Sequence, residues 1–416
     1  MERFDAIVLG AGIVGVSAAW HLLRSGKTVA IVDRRAPGEE TSFGNAGVVE
    51  RDGFLPMSFP QKLGDLLRYA GNARSELHYH PGFLPSIAPY LLKMRRGSHP
   101  SQRVAYAAAM APLMSRSVEE HRELAAAAGA QALFRETGGL RLYRTEAGYK
   151  YGQVNRDFAD HYGFSYQVLT PGEVTEIEPN VKPVFHKAVL WTDAISSSSP
   201  GGVTKAYAAA FARDGGRIFS GDARTLKKAG EDWEVATADG PVVAPIVVAA
   251  LGPWTPDLLK PLGINIPFAV IRGYHRHYRP VGNAGLSRPV LDLEKGFVIT
   301  PMERGIRLTT GYEFADRDAR PTPVQIERTL PLARELFPVG DPVDMDAWLG
   351  RRPCVPDSLP VIGWAPRHKG LFLDFAHSHL GFTLGPVTGR LAAEMILRKP
   401  PSVDPRPFAA ERFPGV

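Results

Sequence analysis

The chain has 416 residues, 44% of them apolar and 22% charged, which is the balance of a folded globular protein long enough to form two lobes. Its 49 Lys and Arg against 43 Asp and Glu give a net charge of +6, which suits acidic small molecules or an anionic membrane surface. No basic block interleaved with aromatic residues is present, so nucleic acid is not an expected partner, and the single cysteine excludes an intramolecular disulfide.

The N-terminal residues predict a βαβ unit. Residues 6–9 predict a buried strand, residues 16–25 a helix closed by Gly26, and residues 28–33 a second buried strand. A right-handed crossover would place both strands in one parallel sheet. Because the first strand begins almost at once and no long apolar run follows, we expect neither a signal peptide nor a membrane span, and a cytoplasmic protein.

A glycine motif lies between the first strand and the helix. Gly10, Gly12 and Gly15 form GxGxxG, in which the glycines allow a tight turn, a close approach to a pyrophosphate and close packing of helix on strand. Asp33 ends the second strand, where a carboxylate can accept hydrogen bonds from ribose hydroxyls. Strand, glycines, helix, strand and acid in register predict a dinucleotide site, but they do not decide between FAD and NAD. Residues 40–49 could line a further cofactor segment.

The remaining elements follow in chain order. Residues 53–97 are rich in proline, aromatic and basic residues and predict short helices and loops on the outside of the molecule. Residues 102–129 predict a helix that breaks at Pro112, followed by a strand at 140–143. Ser199 and Pro200 begin another helix. Strands are predicted at 217–221 and 246–250, a hairpin near 230–233, alternating strands from 274 to 311 and a last helix at 387–397.

Several motifs along the chain resemble the D-amino acid dehydrogenase branch of the glycine oxidase/D-amino acid oxidase flavoprotein family. They are, in matching order, the N-terminal GxGxxG, the run from Thr41 to Gly47, Ala250-x-Gly-x-Trp254, Gly350-Arg-Arg-Pro353 with Pro356-Asp357 and Ile362-Gly363, and His377 followed by Leu380-Gly-x-Thr383. The motifs span residues 5 to about 398, and they are specific as a set rather than singly.

The resemblance implies an α/β fold in which a doubly wound, Rossmann-like FAD-binding domain joins a second, sheet-based α+β substrate domain. The FAD-binding domain is expected to be discontinuous, with residues 1–53, 165–260 and 346–416, and the substrate domain to hold 54–164 and 261–345. The residues expected to bind FAD are Gly10, Gly12, Ile13, Val14, Gly15, Asp33, Arg34, Thr41, Ser42, Asn45, Ala46, Gly47, Gly252, Trp254, Leu380, Gly381, Thr383 and Leu384.

The resemblance also implies roles at the substrate end. Arg352 is expected to bind a substrate carboxylate, with Arg351 as the rival in the same motif, because the planar guanidinium matches a carboxylate with two parallel hydrogen bonds. Tyr274 could also bind the carboxylate, and His377 is expected near the flavin. Since the amine should be neutral before hydride transfer, water or a nearby histidine could take its proton.

Two further sets of residues bear on the pocket. Tyr312 or Phe297 could close it, while the polar stretch 274–277 and a second histidine, His379, depart from the family pattern and could reshape it. The pairs His78/His80, His275/His277 and His377/His379 lack a third-ligand spacing, so we expect no metal site.

The expected function is FAD-dependent oxidation of a small D-amino acid or cyclic imino acid, with the electrons passed to a quinone or another carrier. One alternative is an oxygen-using amine oxidase of the glycine or sarcosine type. Others are a flavoprotein subunit of a multi-subunit dehydrogenase and an NAD-linked dehydrogenase, the latter disfavoured by residues 41–47. Residues 54–96 could rest on the inner face of a membrane near a quinone pool, or form an ordinary solvated surface.

Overall fold

The structure is a computed structural model that describes residues 2–57, 60, 63–414 and 416, so residues 58, 59, 61 and 62 of the basic stretch lie outside the described residues. Helices α1 to α11 span, in order, Ile13–Arg24, Leu63–Ala70, Leu84–Gly97, Pro100–Ala128, Glu146–Tyr151, Gln153–Tyr162, Pro171–Ile177, Pro200–Arg213, Thr255–Leu259, Val324–Leu336 and Gly381–Ile396. Strands β1 to β24 span Glu2–Arg3, Ala6–Leu9, Val29–Asp33, Val48–Val49, Leu77–Tyr79, Phe134–Arg135, Gly139–Tyr143, Tyr166–Leu169, Lys187–Trp191, Ile195–Ser197, Arg217–Ser220, Lys227–Ala229, Asp232–Val235, Val242–Ala244, Ile246–Ala249, Ala269–Pro280, Val290–Asp292, Phe297–Met302, Gly305–Thr309, Tyr312–Phe314, Val339–Pro342, Trp348–Cys354, Val361–Trp364 and Leu371–Phe375.

The first lobe is built on a sheet of six described strands in the order β11-β3-β2-β15-β24-β23. Its neighbours are parallel except for the antiparallel pair of β24 and β23 at one edge. Alternate residues of β2 enter two different cores: Ala6 and Val8 pack with α1 and α11, while Ile7 and Leu9 pack with the small sheet β1-β14-β13-β12. Burial on both faces explains why these strands are apolar throughout, and it confirms the doubly wound sheet.

The second lobe is built on a sheet of eleven described strands, and β16 is its spine. This strand of twelve residues pairs with β19, β20, β21 and β22 along its length. The sheet continues from β19 through β18, β17, β7 and β9 to β8. On one face, apolar side chains such as Leu142, Ile299 and Leu308 pack against Leu336 of α10. Layers of helix and sheet of this kind confirm the predicted second, sheet-based domain.

Two helices differ from the sequence prediction. Helix α4 is not broken at Pro112, because Met110, Leu113 and Met114 are buried on both sides of it and α4 packs against α8 and α11. That burial offsets the ~3 kcal/mol that a proline costs inside a helix. Helix α11 begins at Gly381 rather than at residue 387. A Cβ at Gly389 would lie 2.6 Å from a backbone nitrogen of α1, so the glycines of α11 serve close helix packing instead of a turn.

Several elements cross the predicted domain boundaries. Strands β8, β9 and β22 lie in segments assigned to the FAD-binding domain, yet they pair within the eleven-stranded sheet. Helix α4 was assigned to the substrate domain but packs against α8 and α11. A strand is recognisable from local sequence, whereas the sheet that it joins depends on distant partners. The domain boundaries stay a prediction. Among the described residues, no helix is both long and apolar enough to cross a bilayer.

Candidate active site

A cavity of about 1910 Å³ lies between the two lobes and is lined by residues of both sheets. Most ligand pockets measure roughly 300–1,000 Å³, so this cavity has room for a large cofactor together with a small substrate. Its wall includes the glycine loop before α1, the loops after β3 and β15, the loop before α11, and strands β16, β20 and β22.

The glycine loop brings backbone to the cavity at the N-terminus of α1. Gly10 has φ +109°, and a Cβ there would overlap the carbonyl oxygen of Ala250. A Cβ at Gly12 would lie 3.3 Å from Ser42 Oγ, and that oxygen accepts a hydrogen bond of 3.0 Å from the Ile13 N–H. Gly10, Gly12, Ile13 and Val14 line the cavity, whereas Gly15 packs behind them. The helix terminus supplies the positive dipole end that favours phosphate.

Asp33 lies at the end of β3 and lines the cavity. Its carboxylate accepts hydrogen bonds from the N–H groups of Ala11, at 2.7 Å, and Arg35, at 2.9 Å. A carboxylate has about four acceptor sites, so capacity remains for ribose hydroxyls. The Arg34 guanidinium lies 4.4 Å from the ring centroid of Trp254, and these two side chains border the cavity beside the acid.

The run from Thr41 to Gly47 leads from this loop towards the second sheet. Thr41, Ser42, Asn45 and Ala46 line the cavity. The Thr41 hydroxyl donates to the carbonyl of Arg351 at 3.2 Å, and the Asn45 side chain accepts the Gly47 N–H at 2.8 Å. Gly47 itself does not line the cavity; with φ +75° it turns the chain into β4.

The residues expected from the loops after β15 and before α11 divide into two groups. Gly252, Trp254 and Gly381 line the cavity, whereas Leu380, Thr383 and Leu384 are buried behind it; Leu380 is 2% exposed and Leu384 0%. The Thr383 hydroxyl donates to the Val48 carbonyl and accepts the Glu50 N–H, both at 3.1 Å. Thr383 therefore fixes the start of α11 to β4.

His377 and His379 both line the cavity in the loop before α11. His377 Nε2 lies 3.0 Å from the Thr388 hydroxyl and 3.5 Å from an oxygen of Asp374, and burial lowers the pKa of His377 to about 3. Burial also lowers the pKa of His379 to about 4, and its buried Nδ1 has no hydrogen-bond partner among the described residues. A buried polar atom without a partner is rare in folded proteins and needs a specific reason.

Arg352 lies on β22 and lines the cavity from the second sheet. Three of its donor contacts go to backbone carbonyls, with Nη1 bonded to Arg272 and Gly311 and Nη2 to Thr310, at 3.0 to 3.2 Å. A guanidinium has five donors, so two remain for a ligand. Burial lowers its pKa, and the groups that act on its charge are Tyr312 and Cys354 rather than a carboxylate. A half-buried cation in a cavity wall, with no carboxylate partner among the described residues, calls for an anionic ligand.

Arg351, the neighbour of Arg352 on β22, also lines the cavity. Its Nε donates to the carbonyl of Arg317 at 3.0 Å, and its charge is acted on by the carboxylates of Asp318 and Glu40 as well as by Arg272 and Arg317. Because no carboxylate is among the groups that act on the charge of Arg352, Arg352 has the greater need of a bound anion.

Tyr274 lies in a buried polar network. Its hydroxyl donates to Glu313 at 2.9 Å and accepts hydrogen bonds from Arg272 Nη2 and the Thr322 N–H, at 2.9 and 2.8 Å. One donor and two acceptor sites are all that a phenol offers. The hydroxyl is therefore saturated, and the network positions β16 and the segment around residue 322 rather than leaving Tyr274 free for a ligand.

The aromatic wall of the substrate end comes from other residues. Tyr312, Phe297 and Trp348 all line the cavity. The Arg352 guanidinium lies 5.4 Å from the ring centroid of Tyr312, and Trp348 stacks on His275 with centroids 4.9 Å apart. Tyr312 is 36% exposed, and its side chain lines the cavity. Burial raises the pKa of its phenol.

The cavity wall also holds a charged group that the sequence did not predict, made of Glu50, Asp52 and Arg141. Arg141 binds Asp52 with two hydrogen bonds of 2.8 Å, and its Nη2 lies 3.5 Å from the Glu50 carboxylate. The available signal was Arg141 itself, a charged residue inside the wholly buried strand β7. Arginine is almost never fully buried unless it is paired, so a buried Arg141 points to a nearby acidic side chain or ligand.

One group of possible metal ligands occurs among the described residues. The donor atoms of His78, His80 and Glu313 lie within 4.8 Å of one another. The third ligand comes from a paired strand, so spacing along the sequence gave no sign of it. Glu313 already binds the buried guanidinium of Arg272 at 2.7 Å, and that cation supplies the positive charge that a metal would bring.

Comparisons with known proteins cover nearly the whole chain. The profile of the family described as FAD dependent oxidoreductase (DAO) matches residues 5–395. A D-amino acid dehydrogenase of Methylobacterium nodulans is 30% identical over 98% of each chain, and a D-amino-acid oxidase of Bradyrhizobium diazoefficiens is 27% identical over 99% of each. The crystal structure of glycine oxidase from Geobacillus kaustophilus superposes with a TM-score of 0.76 over 100% of both chains, at 23% identity.

Proposed function

Since this chain belongs to the DAO family of FAD-dependent oxidoreductases, we propose that it oxidises a small D-amino acid or cyclic imino acid and passes the electrons to a quinone or another carrier. Family membership establishes the cofactor, FAD, and the oxidoreductase class. The substrate and the acceptor are the proposed part. The observation that carries the substrate class is Arg352, a half-buried arginine in the cavity wall without a carboxylate partner among the described residues.

The residues at the first lobe fit the expected FAD. The glycine cradle at Gly10 and Gly12 supports binding of the pyrophosphate, and the remaining acceptor capacity of Asp33 supports binding of a ribose. We assign the contacts with FAD to the predicted residues that line the cavity, namely Gly10, Gly12, Ile13, Val14, Asp33, Arg34, Thr41, Ser42, Asn45, Ala46, Gly252, Trp254 and Gly381. Gly15, Gly47, Leu380, Thr383 and Leu384 would hold those loops in shape from behind.

The second lobe would hold the substrate. Arg352 would bind the carboxylate through its two remaining donors, and three backbone carbonyls keep its guanidinium in one orientation. Tyr312 and Phe297 would cover the substrate and exclude water. FAD, when bound, would accept the hydride from Cα, and the imine formed from a primary amino acid would then hydrolyse to a keto acid and ammonia. Holding the carboxylate restricts how the single Cα–H is presented, and together with contacts to the amino group or the side chain this would select one enantiomer.

The acceptor is tested by comparing quinone with oxygen. Relatives of this chain carry both names, dehydrogenase and oxidase. The holoenzyme would be assayed with the best amino acid and either a soluble quinone analogue or air, with peroxide and keto acid both quantified. Our proposal expects turnover with the quinone and little peroxide in air. Peroxide formed in equal amount to the keto acid, at a rate matching the quinone reaction, would make the protein an oxidase.

Contact with an anionic membrane would bring the site close to such a quinone. Residues 77–118 contain no Asp or Glu, while Lys93, Arg95 and Arg96 are exposed on α3. Leu92 is 61% exposed beside them. Basic and apolar side chains on one surface favour binding to anionic lipid. Co-sedimentation with vesicles containing anionic lipid, but not with neutral vesicles, is the expected result, and Lys93→Glu together with Arg96→Glu should abolish it. Equal recovery with both vesicles would contradict this contact.

A further inference from the structure

The cavity wall contains a charged group that the proposed function does not use, made of Glu50, Asp52 and Arg141. Arg141 and Asp52 are joined by two parallel hydrogen bonds of 2.8 Å, so their charges cancel. Glu50 is the carboxylate left over. It lies 3.5 Å from Arg141 Nη2, which is too long for a hydrogen bond. The group as a whole therefore carries one negative charge when Glu50 is ionised.

The position of Glu50 is fixed, and its carboxylate is open to the cavity. Its backbone N–H donates to Thr383 at the start of α11, and Arg141 holds its side chain from β7. The side chain is 23% exposed, although it lies deep in the protein, because it forms part of the cavity wall. A free carboxylate in this position is suited to a cationic ligand.

The same cavity is lined by Arg352 and by Tyr312, which lie next to each other. The phenol of Tyr312 lies over Arg352, and its pKa responds to the charges of both Arg352 and Glu50. Arg352, Tyr312 and Glu50 all line this one cavity. An α-amino acid carries a carboxylate and an ammonium group on one carbon. A cation and an anion in the wall of the same cavity match that pair of charges.

The histidines of the cavity are weaker candidates for taking a proton. Burial lowers the pKa of His377 to about 3 and of His379 to about 4, so neither retains a proton near neutral pH. Burial has the opposite effect on Glu50 and raises its pKa to about 7, in spite of the attraction of Arg141. A general base is most effective when its pKa lies near the working pH.

On this arrangement, and resting on the proposed function, we propose that Glu50 recognises the ammonium group of the substrate and accepts one of its protons. An N–H bond of the ammonium breaks, an O–H bond forms on the Glu50 carboxylate, and the electron pair of the broken bond stays on nitrogen. Glu50 becomes neutral and the amine becomes neutral, so total charge is conserved. The free electron pair on nitrogen is what loss of hydride from Cα requires. Asp52 acts as a positioning residue, since it holds Arg141.

The charged and titratable groups around Glu50 are Arg141 on β7, Asp52 on its own segment, Tyr106 on α4 and Tyr312 on β20. Both phenols stay neutral near pH 7 because burial raises their pKa. In the range between about pH 6 and pH 8, Glu50 is then the group of this set that titrates. The rate of substrate oxidation should rise with pH through this range and level off once Glu50 is ionised.

The test is the pH profile of anaerobic flavin reduction by the best amino acid, measured for wild type, Glu50→Gln and Glu119→Gln. Glu119 is the matched control, since it is 59% exposed and lies outside the cavity. Glu50→Gln should lower the rate at pH 7 by about 100-fold or more. Its rate should then rise tenfold for each pH unit up to the pKa of the substrate amine, because the variant can use only molecules that arrive neutral. Glu119→Gln should match wild type.

Three results would overturn the inference or separate it from the proposed function. A Glu50→Gln rate within threefold of wild type at pH 7, with the same rise near neutrality, overturns it. If Glu50→Gln fails to retain FAD, Glu50→Asp is measured in its place. The shorter acid places its carboxyl group differently, so the rate of flavin reduction should rise at a different pH from wild type. A rise at the same pH as wild type would overturn the inference. A wild-type protein that no amino acid reduces refutes the proposed function instead.

Discussion

Replacing Arg352 by methionine should remove recognition of the substrate carboxylate while the protein stays folded and loaded with FAD. Methionine keeps much of the length of the side chain and removes the charge and all donors. Two donors of Arg352 are left by the backbone carbonyls that bind the other three. A hydrogen bond to a charged group contributes about 1.5–3 kcal/mol, so two contribute about 3–6 kcal/mol. The expected loss in kcat/KM is about 10²- to 10⁴-fold, since 1.4 kcal/mol is a factor of ten.

The assay compares an amino acid with the amine that lacks its carboxylate. Wild type should strongly prefer the amino acid, and Arg352→Met should lose that preference while its low activity towards the amine stays the same. Arg351→Met is the matched comparison and should keep the preference, because the carboxylates of Asp318 and Glu40 act on Arg351, whereas no carboxylate acts on Arg352. An equal loss with both substrates would show that Arg352 supports the fold alone. A larger loss in Arg351→Met would transfer the carboxylate site to that residue.

Three further predictions concern the cofactor, the buried network and pH. Gly10→Ala should purify without FAD. At this positive φ an alanine costs about 1–2 kcal/mol, and its Cβ would overlap the Ala250 carbonyl oxygen. A yellow protein with the wild-type Tm would contradict this prediction. Tyr274→Phe should lower the free energy of unfolding by about 1–3 kcal/mol, because Glu313 and the Thr322 N–H each lose a hydrogen-bond partner. KM should stay unchanged. A raised KM with an unchanged Tm would show instead that the Tyr274 hydroxyl contacts the substrate. Burial lowers the pKa of His121 to about 4, so the unfolded chain binds a proton that the folded one does not, and His121 should contribute about 3 kcal/mol to the fall in stability between pH 6.5 and 4. His377 and His379 add to the same fall, so His121→Gln should make the slope smaller without abolishing it, and an unchanged slope would refute the contribution of His121.

The parts of the site that the sequence predicted are those encoded by neighbouring residues. Strand, glycines, helix, strand and Asp33 follow one another within 33 residues, and the structure has them in that order. Local patterning also gave the βαβ unit, the hairpin at 230–233 and the helix after Ser199. The tendency to form a strand, or to turn at a glycine, is encoded by neighbouring residues.

The parts that it missed depend on residues far apart in the chain. Asp52 and Arg141 are separated by 89 positions, and neither position alone says that they meet in a cavity. The saturated hydroxyl of Tyr274 depends on Glu313 and Thr322, which are brought in by other segments. Pro112 was misjudged for a related reason. The local cost of a proline is visible in sequence, whereas the burial that offsets it comes from α8 and α11.

The most direct test of the account is anaerobic reduction of the purified, FAD-loaded protein by a panel of amino acids, followed as loss of the absorbance of oxidised flavin. The panel would hold D- and L-enantiomers, proline and its analogues, glycine and sarcosine. We expect complete bleaching by one or a few small D-amino or cyclic imino acids and none by their L-enantiomers. Bleaching by L-amino acids alone, or by no member of the panel, would contradict the proposed function.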